Sequence, residues 1–255
     1  MPQFEMPHEL AVLYGGSLGF AKPRLYVNFV ESLDGVTAIP ALAESSRLIA
    51  ASSTHDRFVM GLLRAFADAV LIGAGTLHGS PRTHWTPEHA YPDAAESYAQ
   101  LRRSRGASKQ PVLAVLTASG RIGPHHPGFT GPAIVLTSEE GAVNLRGRLT
   151  ASVEVVTIGE RAPLDAGKAI AALRDRGFEF ILCEGGPTLF GSLIESGNID
   201  ELFLTLSPQL AGRTADERRL SLIENVAFLP ARAVAGRLLS VRRGDSHLFL
   251  RYAFA

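Results

Sequence analysis

Eight short runs of apolar and β-branched residues recur along the chain, and most are apolar at every position. They are LYVNFV (25–30), AVLIG (69–73), VLAVLT (112–117), AIVLT (133–137), VEVVTI (153–158), FEFILC (178–183), LFLTLS (202–207) and HLFLRYAF (247–254). A strand with one wet face alternates, whereas a strand covered on both faces does not, so this pattern predicts a mainly parallel central sheet flanked by helices. The last run alternates more and predicts an antiparallel or edge strand. Helical patterns lie between the strands. In STHDRFVMGLLRAFAD (53–68), Ser53 and Asp56 have the spacing of a capping box, followed by Phe58, Leu62 and Phe66 at helical intervals. PLDAGKAIAALRDRG (163–177) offers Asp165 as an N-cap and Gly177 as a stop, and PTLFGSLIESG (187–197) starts on a proline and stops on Gly197. Strands alternating with helices define an α/β fold.

With 255 residues, 46% of them apolar, the chain can bury a sizeable core in a single domain spanning 1–255. Residues 1–23 precede the first strand as an N-terminal extension. Residues 85–110, polar and ending in LRRSRGASKQ, read as an insertion or surface loop containing at most a short helix. The 25 basic and 25 acidic residues cancel, which argues against a nucleic-acid track or an acidic membrane surface as partner. One cysteine, Cys183, excludes an intramolecular disulfide, fits a reducing cytoplasm and sits in an apolar run as a core residue. MPQFEMPHEL lacks the pattern of a signal peptide, and no apolar run is long enough to span a bilayer. His78, His84 and His89 lack helical metal-site spacing and His125-His126 sits among Pro and Gly, so no metal is expected.

The chemistry concentrates at strand tips. Glu184-Gly185-Gly186-Pro187-Thr188 joins a buried strand to a helix. Glycines let backbone amides approach a ligand, and the helix start adds unpaired N–H groups and a positive dipole end, a combination that suits phosphate. Gly73-Ala74-Gly75-Thr76 makes a second glycine tip. It matches neither a Rossmann fingerprint nor a P-loop, but two such tips on one sheet can flank a single pyrophosphate. A third tip holds Asn28, Ser32 and Asp34, the last followed by Gly35 in a turn-forming pair. Asn28 and Ser32 are candidate substrate contacts. Asp34 and Glu184 are the acids expected to meet in one cleft, orienting a polar heterocycle or handling a proton. Arg64 is a candidate cation for a phosphate or carboxylate, and Arg121 for a cofactor 2′-phosphate.

The stretches ESLDG, LLRAFADAVLIGAGT and ILCEGGPTLFGSLIESGNIDELFLTLSPQLAG together resemble the pyrimidine reductase domain of riboflavin biosynthesis, over roughly residues 24–254. That family shares the dihydrofolate reductase fold, is often fused behind a deaminase, and is usually dimeric through its C-terminal strands. The resemblance implies reduction by NADPH of a phosphoribosylamino-pyrimidine, with hydride delivered to C1′ of the opened ribose. It implies cofactor contacts at Val30, Gly75, Thr76, Thr117 and the run Gly185, Gly186, Pro187, Thr188, Leu189, Phe190 and Gly191. It implies substrate contacts at Arg64 and Glu184. After the glycine–threonine turn the family carries two aspartates, a proline and then an arginine; here the stretch reads LHGSPRTHW, with Gly79-Ser80 in place of the acids and Arg82 as a substitute for the arginine. That departure leaves room for a folate or pteridine substrate, or for a nucleotide-binding paralogue without activity.

Overall fold

A computed structural model describes residues 5–20 and 22–254. Its centre is a nine-stranded sheet in the order β5-β4-β3-β2-β6-β1-β7-β9-β8. The strands β1 (Arg24–Glu31), β2 (Ala69–Gly73), β3 (Val112–Thr117), β4 (Ala133–Ser138), β5 (Val153–Gly159), β6 (Phe180–Cys183) and β7 (Glu201–Leu206) run parallel. The hairpin β8 (Arg237–Gly244) and β9 (His247–Ala253) closes the sheet antiparallel, β9 pairing with β7. A mainly parallel sheet with antiparallel C-terminal strands is the α/β arrangement expected from the sequence. The run 247–254 is antiparallel as expected but not at the edge. The edge is β8, whose RLLSVRRG has no apolar periodicity because much of it faces solvent.

The helices are α1 (His8–Tyr14), α2 (Ser45–Ile49), α3 (Thr54–Phe66), α4 (Ala74–Gly79), α5 (Pro87–Ala90), α6 (Ala95–Ser104), α7 (Glu139–Leu145), α8 (Ala166–Arg174) and α9 (Pro187–Glu195). Two hydrophobic layers flank the sheet, and successive strand residues feed opposite ones. Tyr26, Val70 and Leu182 join Leu62, Leu63 and Phe66 of α3 on one side. Val27, Leu71 and Ile181 join Ile170 of α8 and Leu193 of α9 on the other. Each fully buried side chain of this size contributes about 1.5–3 kcal/mol.

Two segments that look peripheral in sequence are part of the core. In the described part of residues 1–23, Leu10, Tyr14, Leu18 and Phe20 are buried against α3 and the sheet. The 85–110 segment is not a surface loop: Trp85, Tyr98 and Leu101 are buried, and the Tyr98 hydroxyl donates to the Phe58 carbonyl at 2.9 Å. Arg102 of α6 is 2% exposed and donates to the carbonyls of Arg64, Ala65 and Ala67 at 3.2, 3.2 and 2.7 Å. These carbonyls lie in the last turn and C-cap of α3, so a buried cation caps the helix that carries Arg64. Burial lowers the Arg102 pKa to about 10.

The capping signals hold with one exception. Asp165 accepts from the amides of Gly167 and Lys168, and Ser53 accepts from the amide of Asp56 at 3.2 Å. The reciprocal half of the box is not made. The Ser53 amide donates to the Ala50 carbonyl instead, which frees the Asp56 carboxyl for the sheet side of the helix.

Candidate active site

The two glycine tips are neighbours. Leu71 of β2 pairs with Cys183 of β6, so the strands end side by side. The Gly73 amide donates to the Gly185 carbonyl at 2.7 Å and the Glu184 amide to the Leu71 carbonyl at 3.0 Å, which extends the pairing past both strands. Gly185 has φ +92°, and a Cβ there would lie 3.0 Å from the Phe29 ring, so this position requires glycine. The Gly185–Gly186 peptide is cis. Gly73 and Gly186 then stand at the N-caps of α4 and α9, with no side-chain cap on either. The Cys183 thiol behind them is fully buried, and burial pushes it up to about 12, which makes it a core residue.

Both tips open into one cavity of about 940 Å³. Of the residues singled out in the sequence, Asn28, Val30, Arg64, Gly75 and Thr76 line it, as do Glu184, Gly186, Pro187, Thr188 and Leu189. Gly73, Ala74, Gly79 and Ser80 line it too, whereas Ser32, Asp34, Thr117, Gly185, Phe190 and Gly191 are not on its wall. Gly185 shapes the turn from behind, and Phe190 packs against Phe29 with ring centroids 5.3 Å apart. Gly191 faces the 223–226 segment, where a Cβ would come 2.8 Å from the Glu224 carbonyl oxygen. Thr117 is buried in the sheet, its carbonyl accepting from the Thr137 hydroxyl. Arg121 is exposed and off the cavity wall. Arg82 is also off the wall, its side chain 83% exposed and 3.8 Å from Glu44, so it does not replace the missing arginine.

The largest correction concerns Asp34. It does not meet Glu184. Its carboxylate accepts from the Ser32 hydroxyl at 2.6 Å and from the amides of Ala211 and Gly212 at 2.9 and 2.8 Å. The Ser32 hydroxyl and these amides hold its pKa at about 2. Asp34 and Ser32 together fasten the β1 turn to the chain after β7, away from the cavity.

Glu184 is instead paired with Arg64. Arg64 Nε and a terminal nitrogen reach the two carboxylate oxygens at 2.8 and 2.6 Å, with both side chains almost fully buried. Another guanidinium nitrogen donates to the Thr86 carbonyl at 3.3 Å. A fork-to-fork pair of this kind has fixed geometry and presents its outer edge to the cavity. A second acid, absent from the sequence expectations except as a capping residue, lines the same cavity. Asp56 is 8% exposed, and burial raises its pKa against the lowering effects of the Thr205 hydroxyl, His247 and Arg64. Its one visible sequence signal, the Ser53 spacing, points to a local role and hides the cavity-facing one.

Comparison with known proteins follows this geometry. The riboflavin biosynthesis protein RibD of Escherichia coli is 29% identical over 202 residues, covering 76% of this chain and 50% of that protein. This chain therefore spans about half the length of that relative. The 2,5-diamino-6-ribosylamino-4(3H)-pyrimidinone 5′-phosphate reductase of Methanothermobacter thermautotrophicus is 26% identical over 194 residues, covering 75% of this chain and 80% of that enzyme. The fold is shared with a pyrimidine reductase-like protein from Corynebacterium diphtheriae, with TM-score 0.73 and 20% identity over 96% of this chain and 98% of that one. The family model described as the RibD C-terminal domain matches residues 23–248. This stretch takes in both glycine tips, the Arg64–Glu184 pair and Asp56. The chain belongs to the RibD C-terminal domain family.

Proposed function

We propose that this chain is an NADPH-dependent reductase of a pyrimidine intermediate in riboflavin biosynthesis, of the 5-amino-6-(5-phosphoribosylamino)uracil reductase type. The observation that carries this reading is the convergence of two uncapped glycine tips and a buried Arg64–Glu184 pair on one cavity. The reductase names of its relatives support it. The glycine tips fit a dinucleotide: the Gly186 position leaves room that a larger side chain would fill beside Thr76 Oγ1, 3.4 Å from a Cβ built there. The N-termini of α9 and α4 supply amides for phosphate oxygens. When bound, the dihydronicotinamide supplies hydride to an electrophilic carbon. Glu184, oriented by Arg64, accepts from the N–H edge of the heterocycle. Asp56 holds the proton needed at the heteroatom beside the reduced carbon. Gly75, Thr76 and Leu189 line one side of the cleft.

A second reading is a dihydrofolate or pteridine reductase, and Asp56 is the observation that favours it. A buried acid beside a buried threonine hydroxyl suits the amino and ring N–H groups of a pteridine as well as it suits a proton donor. Gly79-Ser80 and the outward-turned Arg82 leave the phosphate end of the pyrimidine site without its family residues. A nucleotide-binding paralogue without turnover is the third outcome of the same assay. NADPH oxidation is followed with the phosphoribosylamino-pyrimidine and with dihydrofolate. Turnover of the first alone supports the proposal, turnover of the second alone replaces it, and cofactor binding without either identifies the paralogue. We further propose a homodimer formed through the exposed face of β8, where Leu238 and Val241 are half exposed, and a cytoplasmic enzyme with neither nucleic acid nor membrane as partner. Among the described residues, no helix is long and apolar enough to cross a membrane.

A further inference from the structure

One face of α3 is turned to the cavity. Ser53 at its N-cap, then Asp56, Arg57, Met60 and Arg64, all line the wall at the intervals that bring residues to one side of a helix. The two arginines are two helical turns apart, or about 10 Å along the axis. Both reach across to the 86–90 segment: Arg64 donates to the Thr86 carbonyl at 3.3 Å and Arg57 Nε to the Ala90 carbonyl at 2.8 Å. Their charges differ in what meets them. Arg64 is neutralised by Glu184 in the buried pair. Arg57 has no carboxylate within ion-pair distance among the described residues, and its two terminal nitrogens make no hydrogen bond there. A guanidinium fixed at one nitrogen with its fork open is arranged for a bidentate anion. Its charge is felt along the wall: burial, Arg64 and His84 lower the pKa of the cavity-lining His89, and Arg57 adds to the lowering against Glu44. Arg47 also lines the cavity without an ion pair, but it is exposed and no hydrogen bond holds its guanidinium, so its charge is screened and unplaced. Beside Gly79-Ser80 the sign is reversed. The Glu44 amide donates to the Gly79 carbonyl at 2.7 Å, and one Glu44 carboxylate oxygen is buried without a hydrogen-bond partner. Arg82, 3.8 Å from it and 83% exposed, offsets that charge weakly, so a phosphate is disfavoured there.

We propose that Arg57 is the anion subsite of the cavity and takes the phosphate monoester of the substrate, in place of the arginine that LHGSPRTHW lacks. The inference rests on the reading above, in which Glu184 meets the N–H edge of the heterocycle. With the ring on Glu184, the two-turn separation of Arg64 and Arg57 matches the reach of a phosphoribosylamino-pyrimidine from its ring to its phosphate. A bare pteridine carries no anion to this point. A folate carries its carboxylates beyond an aminobenzoyl spacer and so past Arg57. The position of Arg57 on the helix therefore selects by length as well as by charge. The bond to Ala90 places the fork before the ligand arrives, which reduces the ordering cost of binding. Arg57 holds the far end of the substrate, and no bond forms or breaks at it.

The test measures binding by calorimetry for 5-amino-6-(5-phosphoribosylamino)uracil and for its phosphate-free ribosyl counterpart. The wild type is expected to bind the phosphate form about tenfold or more tightly. Arg57→Gln keeps an N–H for the Ala90 carbonyl. It is expected to weaken the phosphate form about 10- to 100-fold and the counterpart by less than about twofold. Arg57→Lys keeps the charge and loses the fork; it is expected to show a smaller loss confined to the phosphate form, and it stands in if Arg57→Gln does not fold. Arg47→Gln is expected to lose less than Arg57→Gln. Equal affinity of the wild type for the two forms, equal weakening of both by Arg57→Gln, or a larger loss in Arg47→Gln overturns the subsite. Weaker dihydrofolate binding in Arg57→Gln with the phosphate form unchanged overturns it in favour of a carboxylate. NADPH oxidation is followed separately. Turnover of the phosphate form by the wild type, with its affinity unchanged in Arg57→Gln, overturns the subsite alone. Selective loss of the phosphate form in Arg57→Gln, with no turnover by the wild type, overturns the reductase reading and leaves the subsite standing.

Discussion

The tips of β1 and β6 are adjacent strand ends that begin from similar materials and reach opposite outcomes. Each carries an acid followed by glycine: Asp34-Gly35 after β1, Glu184-Gly185 after β6. At β1 the acid is consumed locally. Asp34 accepts from Ser32, Ala211 and Gly212, and Arg213 donates to its carbonyl at 2.7 Å, so the turn becomes a buckle between two stretches of chain. At β6 no neighbouring backbone amide engages the acid, and it reaches across to Arg64 at the cavity wall. The difference lies in what passes nearby. The chain leaving β7 turns back over β1, whereas β6 ends beside another glycine tip that offers no donors to its acid. An acidic residue at a sheet tip is therefore uninformative about chemistry until the local supply of amides is known.

Four measurements break or sharpen this contrast. The largest expected effect is that of Glu184→Ala, which leaves the Arg64 guanidinium buried without its partner. Denaturant unfolding is expected to show a loss of about 3–5 kcal/mol; a loss well under 1 kcal/mol would place the pair in water. Next is Gly186→Val, in which the first added carbon meets only the Thr76 hydroxyl. The fold is expected to survive while NADPH affinity, measured by calorimetry, falls about 100-fold, or roughly 2.7 kcal/mol. Unchanged affinity would remove the glycine cradle from the site.

The remaining two predictions have opposite signs in pH. Asp34 has a folded pKa depressed from 3.8 to about 2. Its contribution is fully present above its unfolded value and is lost as pH falls from about 4 through 2. Asp34→Asn is expected to lower the Tm at pH 7, to make little difference near pH 2, and to leave kcat/KM within about twofold of the wild type. A large fall in kcat/KM with a normal Tm would return Asp34 to the active site. Asp56 has a raised folded pKa. Its protonated form is favoured by folding, so stability is lost as pH rises from about 3.9 through the folded value. Asp56→Asn is expected to give a small gain in Tm that grows with pH over this window. A gain that shrinks with pH would mean that Asp56 is held as a carboxylate.

All eight apolar runs are strands: in the central ones burial on both faces leaves a compositional trace that needs no partner to be seen, while β5 at the sheet edge is apolar in sequence yet largely exposed. At the β6 tip the glycine signal has a steric ground, since a positive φ at Gly185 and the close approach of the Phe29 ring exclude other residues there. Roles that depend on which groups meet were not legible. Asp34 and Asp56 are both acids beside serines, and their spacing predicted a heterocycle contact for the first and a helix cap for the second. In the structure Asp34 is held by Ser32 and the amides of Ala211 and Gly212, while Asp56 keeps the Ser53 contact and also lines the cavity. Likewise β8 is rich in arginine and carries no strand period, because its pairing with β9 supplies the order that its side chains do not. The polarity of 85–110 was misleading in another way: Arg102 counts as a surface residue by composition, yet it is one of the largest fully buried side chains in the described structure.

That arginine has a mechanical consequence. One of the carbonyls it grips belongs to Arg64, the residue whose side chain forms the cavity wall. Arg102→Ala is therefore expected to loosen the end of α3 from which Arg64 reaches Glu184, read as a fall in Tm. A stretch that composition assigns to the exterior is thus part of the frame that holds the end of the helix carrying Arg64.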